Sequence, residues 1–291
     1  MLLKNFEMKF YKTNEEVDIQ RESCLLVDAT IAEVAKILKP GITTLSLDVM
    51  AETFMKDNGG VSSCKGYHGY PYSLCISVNE QVVHGFPSQY VLKEGDLVSI
   101  DTVFYKNGFH GDSAYTFILG DTTPEILDLV RITKESLYVG IQQAIVGNRN
   151  GDIGYAIEKY TNGNHGYGVV KDMIGHGVGR QMHEEPEVPN YGRRGNGKKL
   201  VENMVLAIEP MITMKSPDVY VLKDGWTIVT DDGSLAVHFE HNVCVKKGKP
   251  ELLTDFGMIE RAEKSNINLN SSYYTIEKVD AQNLVLESST H

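Results

Sequence analysis

The chain has 291 residues, 42% hydrophobic and 23% charged, ordinary proportions for a globular protein of one or two domains. Its formal charge of −11 argues against nucleic acid as the main partner, and no apolar run approaches the ~18 residues a membrane span needs. The start, Met1-Leu2-Leu3-Lys4-Asn5-Phe6, shows no long apolar stretch and no small-residue cleavage site, so no secretory signal is expected. Cys24, Cys64, Cys75 and Cys244 are scattered without a C-x-x-C pair and are expected to be reduced cytosolic thiols.

Thr13, with Glu16 three residues on, reads as a capping box opening a helix whose apolar positions run through 17–38. Pro40-Gly41 ends it, and a shorter helix is predicted over about 45–55. Strands follow at 74–78, 81–84, 97–105 and 109–119. The order then repeats. Thr123-Pro124 starts a helix running to about 145, and Asp152 caps another through 160. Strands return at 169–174, 205–209, 227–230 and 236–245. Two helices followed by strands, twice, predict a pseudo-twofold α+β domain with helices packed on one face of a mostly antiparallel sheet. This single domain is expected over 1–257, with halves at about 13–120 and 121–257. Residues 258–291 read as a C-terminal appendage of unreadable role, polar at 266–272, with short β-like pieces at 273–276 and 284–286. The basic stretch Arg193 to Lys199 reads as a solvated loop.

Asp101, Asp112, His176, Glu209 and Glu240 each sit at the end of, or inside, a segment that otherwise reads as buried strand. An ionised carboxylate there costs several kcal/mol unless it is neutralised, and no Lys or Arg lies near these residues in sequence. Four carboxylates and an imidazole suit two divalent cations better than one. Asp101 and Asp112 lie on strands joined by Lys106-Asn107-Gly108. A turn at Lys106-Asn107 sets them directly opposite; a turn at Asn107-Gly108 makes them diagonal neighbours. Either way they share one face, and Ile100, Val103 and Phe104 make it read as dry.

His176 stands in Gly175-His176-Gly177-Val178-Gly179, with His183-Glu184-Glu185-Pro186 after it. A phosphate loop fits poorly with two acids so close, and the glycines are expected to let the backbone crowd a ligand around His176. Glu209 precedes Pro210, which keeps it extended in line with its strand. Glu240 lies within Val237-His238-Phe239-Glu240-His241-Asn242-Val243. Of the nine histidines, His84, His176 and His183 stand beside a Gly or in a Gly-rich loop and read as functional rather than structural.

Several motifs occur in one order: Gly66-Tyr67-His68-Gly69-Tyr70-Pro71, Cys75-Ile76-Ser77-Val78-Asn79-Glu80, Val83-His84-Gly85, Ile100-Asp101 and Phe109-His110-Gly111-Asp112. The loop from Gly175 to Pro186, Ile208-Glu209-Pro210 and Phe239-Glu240-His241 complete the series. Together, over about 10–257, they resemble the bacterial-type (type I) methionine aminopeptidases, which have the pita-bread (creatinase/aminopeptidase) fold. The resemblance implies Asp101, Asp112, His176, Glu209 and Glu240 as ligands of two divalent cations (Co, Mn, Fe or Zn), with Asp112 and Glu240 bridging and Asp101 chelating. It implies His84 and His183 as substrate-contacting residues that hold no metal. Cys64, Tyr67, Tyr70, Cys75 and Trp226 would surround the methionine side chain, and aromatic and thiol walls suit a thioether.

The implied activity is removal of the N-terminal methionine from nascent proteins and peptides, by attack of a metal-bridging hydroxide on the first peptide bond. Glu209 would shuttle the proton, His183 would stabilise the oxyanion or orient the following residue's carbonyl, and His84 would hold the scissile nitrogen. A cytoplasmic monomer is expected, acting on N-terminal methionine peptides and nascent chains, with the ribosome as a further partner and neither a membrane nor a specific nucleic-acid sequence. Two positions depart from the pattern: Asn203, where the family often has Gly, and Met182, where an aromatic residue is usual. Two other readings share the fold. An Xaa-Pro aminopeptidase or dipeptidase usually carries an extra N-terminal domain, whereas the fold here reads as starting near residue 13. A non-catalytic binding protein is expected to lose metal ligands, and all five are present.

Overall fold

Helix α1 (Asn14–Ile37) begins where its capping box predicts: Thr13 Oγ1 accepts the Glu16 N–H at 3.2 Å, and the Glu16 carboxylate accepts the Thr13 N–H at 2.8 Å. The computed structural model describes residues 10–274. After α1 come α2 (Thr44–Asp57), β1 (Val61–Ser62), β2 (Cys75–Val78), β3 (Gln81–Val83), β4 (Leu97–Lys106) and β5 (Phe109–Ile118). The second half repeats the order with α3 (Pro124–Ile141), α4 (Asn150–Glu158), β6 (Gly168–Val169), β7 (Gly175–Gly177), β8 (Glu184–Val188) and β9 (Val205–Ile208). It continues with β10 (Met211–Thr213), β11 (Val219–Val221), β12 (Ile228–Thr230), β13 (Ala236–His238), β14 (His241–Cys244) and β15 (Glu251–Leu252), then α5 (Phe256–Ser265).

The β4–β5 hairpin closes at Asn107-Gly108, with φ of 53° and 86°, the left-handed pair a two-residue hairpin turn requires. The register pairs Lys106 with Phe109, Val103 with Asp112 and Asp101 with Ala114. Of the two turns the sequence allowed, this is the second, so the two aspartates are diagonal neighbours. Residue alternation then decides which face they share. Gly111 lies under α1, where an added Cβ would stand 2.4 Å from the backbone of Ser23 and Cys24. Ser113 Oγ donates to Asp28 of α1 at 2.7 Å. With Gly111 and Ser113 turned toward the helix, Asp112 and Asp101 face away from it.

Every strand pairing is antiparallel among the described residues. In the first half β4 pairs β5 along its whole length on one edge and β2 and β1, end to end, on the other; in the second the order is β15-β14-β9-β7-β8. Two short sheets, β13-β10-β6 and β11-β12-β3, complete the arrangement, the latter joining the halves through Val83 and Ile228. A second junction is Glu240, whose N–H donates to Ala114 O of β5 at 2.9 Å. One apolar cluster runs from Ile31, Leu47 and Phe104 to Leu137, Leu206 and Phe239, so both halves share a core.

The structure differs from the sequence reading at several places. The strand predicted over 236–245 is two strands, because Phe239 and Glu240 leave the ladder where Glu240 turns to the first half. The segment 169–174 is mostly a bend, broken at the exposed Lys171-Asp172. Helix α4 starts at Asn150; Asp152 is its third residue, and its carboxylate accepts the Arg149 N–H at 2.8 Å. Part of the expected C-terminal appendage is built into the core. Phe256, Ile259 and Ala262 of α5 are buried in the main cluster together with Tyr273, and Lys134 Nζ donates to Glu260 at 2.8 Å and Tyr115 Oη at 3.0 Å. Instead of a strand from 273, Ser272–Tyr274 forms a 3-10 turn; 275–276 and the other β-like piece at 284–286 lie outside the described residues.

Replacing Gly111 by Ala forces α1 off β5 and is expected to cost about 1–3 kcal/mol of stability, read from urea denaturation. An unchanged midpoint would show that the helix yields without cost.

Candidate metal centre

A cavity of about 270 Å³ opens where the two halves meet, and all of the predicted site residues line it: Asp101, Asp112, His176, Glu209, Glu240, His84, His183, Cys64, Tyr67, Tyr70, Cys75 and Trp226. One carboxylate oxygen each from Asp101, Asp112 and Glu240 lie within 4.8 Å of one another. His176 Nε2 stands 3.8 Å from Asp112 Oδ2 and 3.5 Å from Glu209 Oε1. His176 Nδ1 is 2.9 Å from Gly177 O, and a carbonyl can only accept, so Nδ1 carries the proton. The Nε2 lone pair is thereby presented to the acids, the tautomer a metal-binding imidazole needs.

The electrostatics are one-sided, since no Lys or Arg lines the cavity among the described residues. Burial raises all four carboxyl groups above their usual range, Asp101 to about 7, and like charge from neighbouring carboxylates pushes Asp112, Glu209 and Glu240 further up. Burial drives His176 down to about 3, so it stays neutral. Glu240 Oε1 is buried without a hydrogen-bond partner. Acids that cannot ionise together unaided, an unprotonated imidazole and an unpartnered oxygen fit divalent cations, which would stand in for the missing protons.

The glycines flanking His176 admit the neighbouring strands: a Cβ at Gly175 would stand 2.3 Å from Ala207 O, and one at Gly177 2.4 Å from Glu185 O. Gly175 also lines the cavity. His84 is held with φ at 59°, uncommon for a non-Gly residue, just before Gly85, whose missing Cβ would meet Ile76 O at 2.3 Å. Burial lowers the His84 pKa to about 4. The His183 ring lies edge-on to His176 with centroids 4.3 Å apart, and Tyr67 Oη is 2.8 Å from its Nδ1.

A residue from the entry segment braces this loop: buried Lys12 Nζ donates to Val178 O at 2.6 Å and to Glu184 Oε2 at 2.8 Å. No sequence pattern pointed to Lys12, since its partners lie far along the chain. On the other wall Cys64, Tyr70, Cys75, Val103 and Met182 form a small apolar cluster, with Tyr67, Phe86 and Trp226 packed against it. The Asp224 carboxylate fixes the indole segment by accepting the Trp226 and Thr227 N–H groups at 2.8 and 2.9 Å. Val103, Met173, Ile174 and Glu187 also line the cavity and were not foreseen, although strand alternation from Asp101 points to Val103.

An antiparallel α+β body whose halves converge on an acid-rich cavity is the architecture of a metal-dependent peptidase, and the chain belongs to Metallopeptidase family M24, whose pattern matches residues 18–247. It is 49% identical over 247 residues to the methionine aminopeptidase of Clostridium perfringens, covering 85% of this chain and 99% of that protein. The structure of the Thermotoga maritima methionine aminopeptidase superposes with a TM-score of 0.82 at 40% identity, over 84% of this chain and 98% of that one. A Xaa-Pro dipeptidase from Bacillus anthracis shares the fold at a TM-score of 0.67 and 21% identity, but the match covers only 62% of its chain, against 84% of this one.

Because the metal-free carboxyls hold protons that an unfolded chain would release, metal-free stability is expected to fall as pH rises from the ordinary carboxyl range at about 4 through about 7, where Asp101 titrates. Cation binding displaces the same protons, so Mn(II) affinity should climb over this window, and calorimetry in buffers of different ionisation enthalpy should detect proton release. An affinity independent of pH there would mean that the carboxyls are already ionised.

Proposed function

We propose that the protein removes the N-terminal methionine from peptides and nascent chains as a metal-dependent exopeptidase. The observation that carries this reading is a single cavity with carboxylates on one wall and a cluster of thiols, aromatics and a thioether, Cys64, Tyr70, Cys75 and Met182, on the other. That lining suits the methionine side chain, since sulfur–aromatic contacts add to burial.

In this reading Asp101, Asp112, His176, Glu209 and Glu240 would hold two divalent cations. When bound, such cations supply Lewis acidity toward the scissile carbonyl and lower the pKa of water. The remaining work falls to the chain. Glu209, its pKa raised by burial, is suited to take a proton and return it to the leaving amine. With Tyr67 Oη donating to Nδ1, His183 keeps its proton on Nε2 and can donate to the carbonyl oxygen as negative charge develops. Neutral His84 can accept the scissile N–H. Asp101 offers the α-ammonium a counter-charge, which restricts cleavage to the terminal residue.

We assign catalysis to one domain built of halves 13–120 and 121–257, into whose core α5 and Tyr273 also pack. Co, Mn, Fe and Zn all suit the ligand set, and cellular availability selects among them. We read the protein as a cytoplasmic monomer working near the ribosome; the four unpaired cysteines suit a reducing compartment.

The test is metal-stripped protein re-supplied with each metal in turn and offered Met-Ala-Ser and Xaa-Pro peptides. Methionine release with at least one metal is expected, and none with any metal would defeat the proposal. His84→Ala should bind metal as the native protein does while kcat drops by about 10²-fold or more. Loss of metal in that variant would overturn the role given to His84.

A further inference from the structure

His238 ends β13 with its backbone fixed on both sides: its N–H donates to Thr116 Oγ1 at 3.1 Å, and its carbonyl accepts the Thr116 hydroxyl at 2.7 Å. Its side chain is buried, the residue only 1% exposed, and neither ring nitrogen has a hydrogen-bond partner. An imidazole left so in a dry interior is costly, and an apolar residue of similar bulk would carry no such cost. The carboxylate it faces is Glu209, with Nε2 3.8 Å from Oε2. The other oxygen, Oε1, lies 3.5 Å from His176 Nε2, so Glu209 stands between two imidazoles. They are not equivalent. His176 has its Nδ1 proton committed to Gly177 O and presents a lone pair, whereas both nitrogens of His238 are uncommitted.

We propose that His238 is a positioning residue for Glu209, its Nε2–H holding Oε2 and thereby turning the rest of the carboxylate toward the metal centre. A side-chain shift of about 1 Å brings the pair to hydrogen-bond distance. A neutral imidazole carries a single N–H, and with both ring nitrogens uncommitted that proton is free to sit on Nε2. Held this way, Glu209 has one rotamer from which to pass a proton instead of several, the effect that outer partners have on metal-site carboxylates. The inference rests on the reading of Glu209 as the proton carrier.

Three variants test it. His238→Gln places an amide N–H near the Nε2 position, His238→Asn places one only near Nδ1, and His238→Leu supplies none. In the cobalt-loaded protein the Asn and Leu variants should lose about 10–100-fold in kcat on Met-Ala-Ser with KM within about two-fold, while Gln should stay within about three-fold of native. The cobalt absorption bands should shift in Asn and Leu and not in Gln. The Tm of metal-free His238→Leu should equal or exceed that of the native protein. Native kcat in His238→Leu, or a Gln variant as impaired as Asn, overturns the assignment. So does a His238→Leu variant whose kcat loss comes with a lowered metal-free Tm, the mark of a packing residue. If the native protein releases no methionine with any metal, the functional reading fails, and the cobalt bands of the variants still decide whether His238 bears on Glu209.

Discussion

Asp101, Asp112, Glu209 and Glu240, drawn into one cavity that no Lys or Arg lines among the described residues, are the constraint on which the rest of this molecule depends. Burial alone would hold them protonated, and mutual repulsion raises three of them further. A fold gathers such a set only if something outside the chain offsets the repulsion, and oxygen donors around a neutral imidazole select hard or borderline divalent cations for that purpose. Much of the architecture can be read as a means of keeping these groups where they would not stay unaided. The β4–β5 register puts two of them on the face turned away from α1, and Asn242 Oδ1 accepts the Asp112 N–H at 2.8 Å, tying β14 to β5 beside the acids.

The junction between the halves serves the same end. Glu240 abandons its ladder and bonds by its backbone to Ala114, the residue opposite Asp101. One interruption therefore sets the separation of a carboxylate of the second half from those of the first. A continuous strand over 236–245 would have kept Glu240 in register with its own sheet. Around this junction the chain accepts unfavourable local choices, including the left-handed backbone of His84 and the orphaned ring of His238. Such features persist where the surrounding packing over-determines them.

What could be read in the sequence follows the range of the forces involved. The capping box of α1 and the hairpin turn follow local rules, and the structure obeys them at those residues. The gathering of Asp101, Asp112, His176, Glu209 and Glu240 was legible because buried acids without local counter-charges demand a distant solution. Helix α5 was missed because its burial depends on partners such as Lys134 and Tyr115, more than a hundred residues away. Lys12 was missed for the same reason. Gly175 and Gly177 report in the sequence that something comes close without naming it, and the structure names the carbonyls of Ala207 and Glu185.

The two departures from the family pattern show where the structure has slack. Asn203 sits at φ 64°, a conformation that glycine takes freely and that Asn tolerates better than other side chains. Its side chain also joins the surroundings, donating to Asn14 at 3.0 Å and accepting from Lys246 at 2.8 Å. The lost glycine is thus compensated by polar contacts no glycine could make. Met182 occupies the apolar cluster beside Cys64 and Tyr70, where a flexible thioether fills irregular space that a flat ring would fill rigidly. Both changes fall on positions that need only a backbone conformation or a volume. The cavity acids have no such freedom, since each must place an oxygen at one distance from several others, and a substitution of any one of them has no neighbour able to take over its charge.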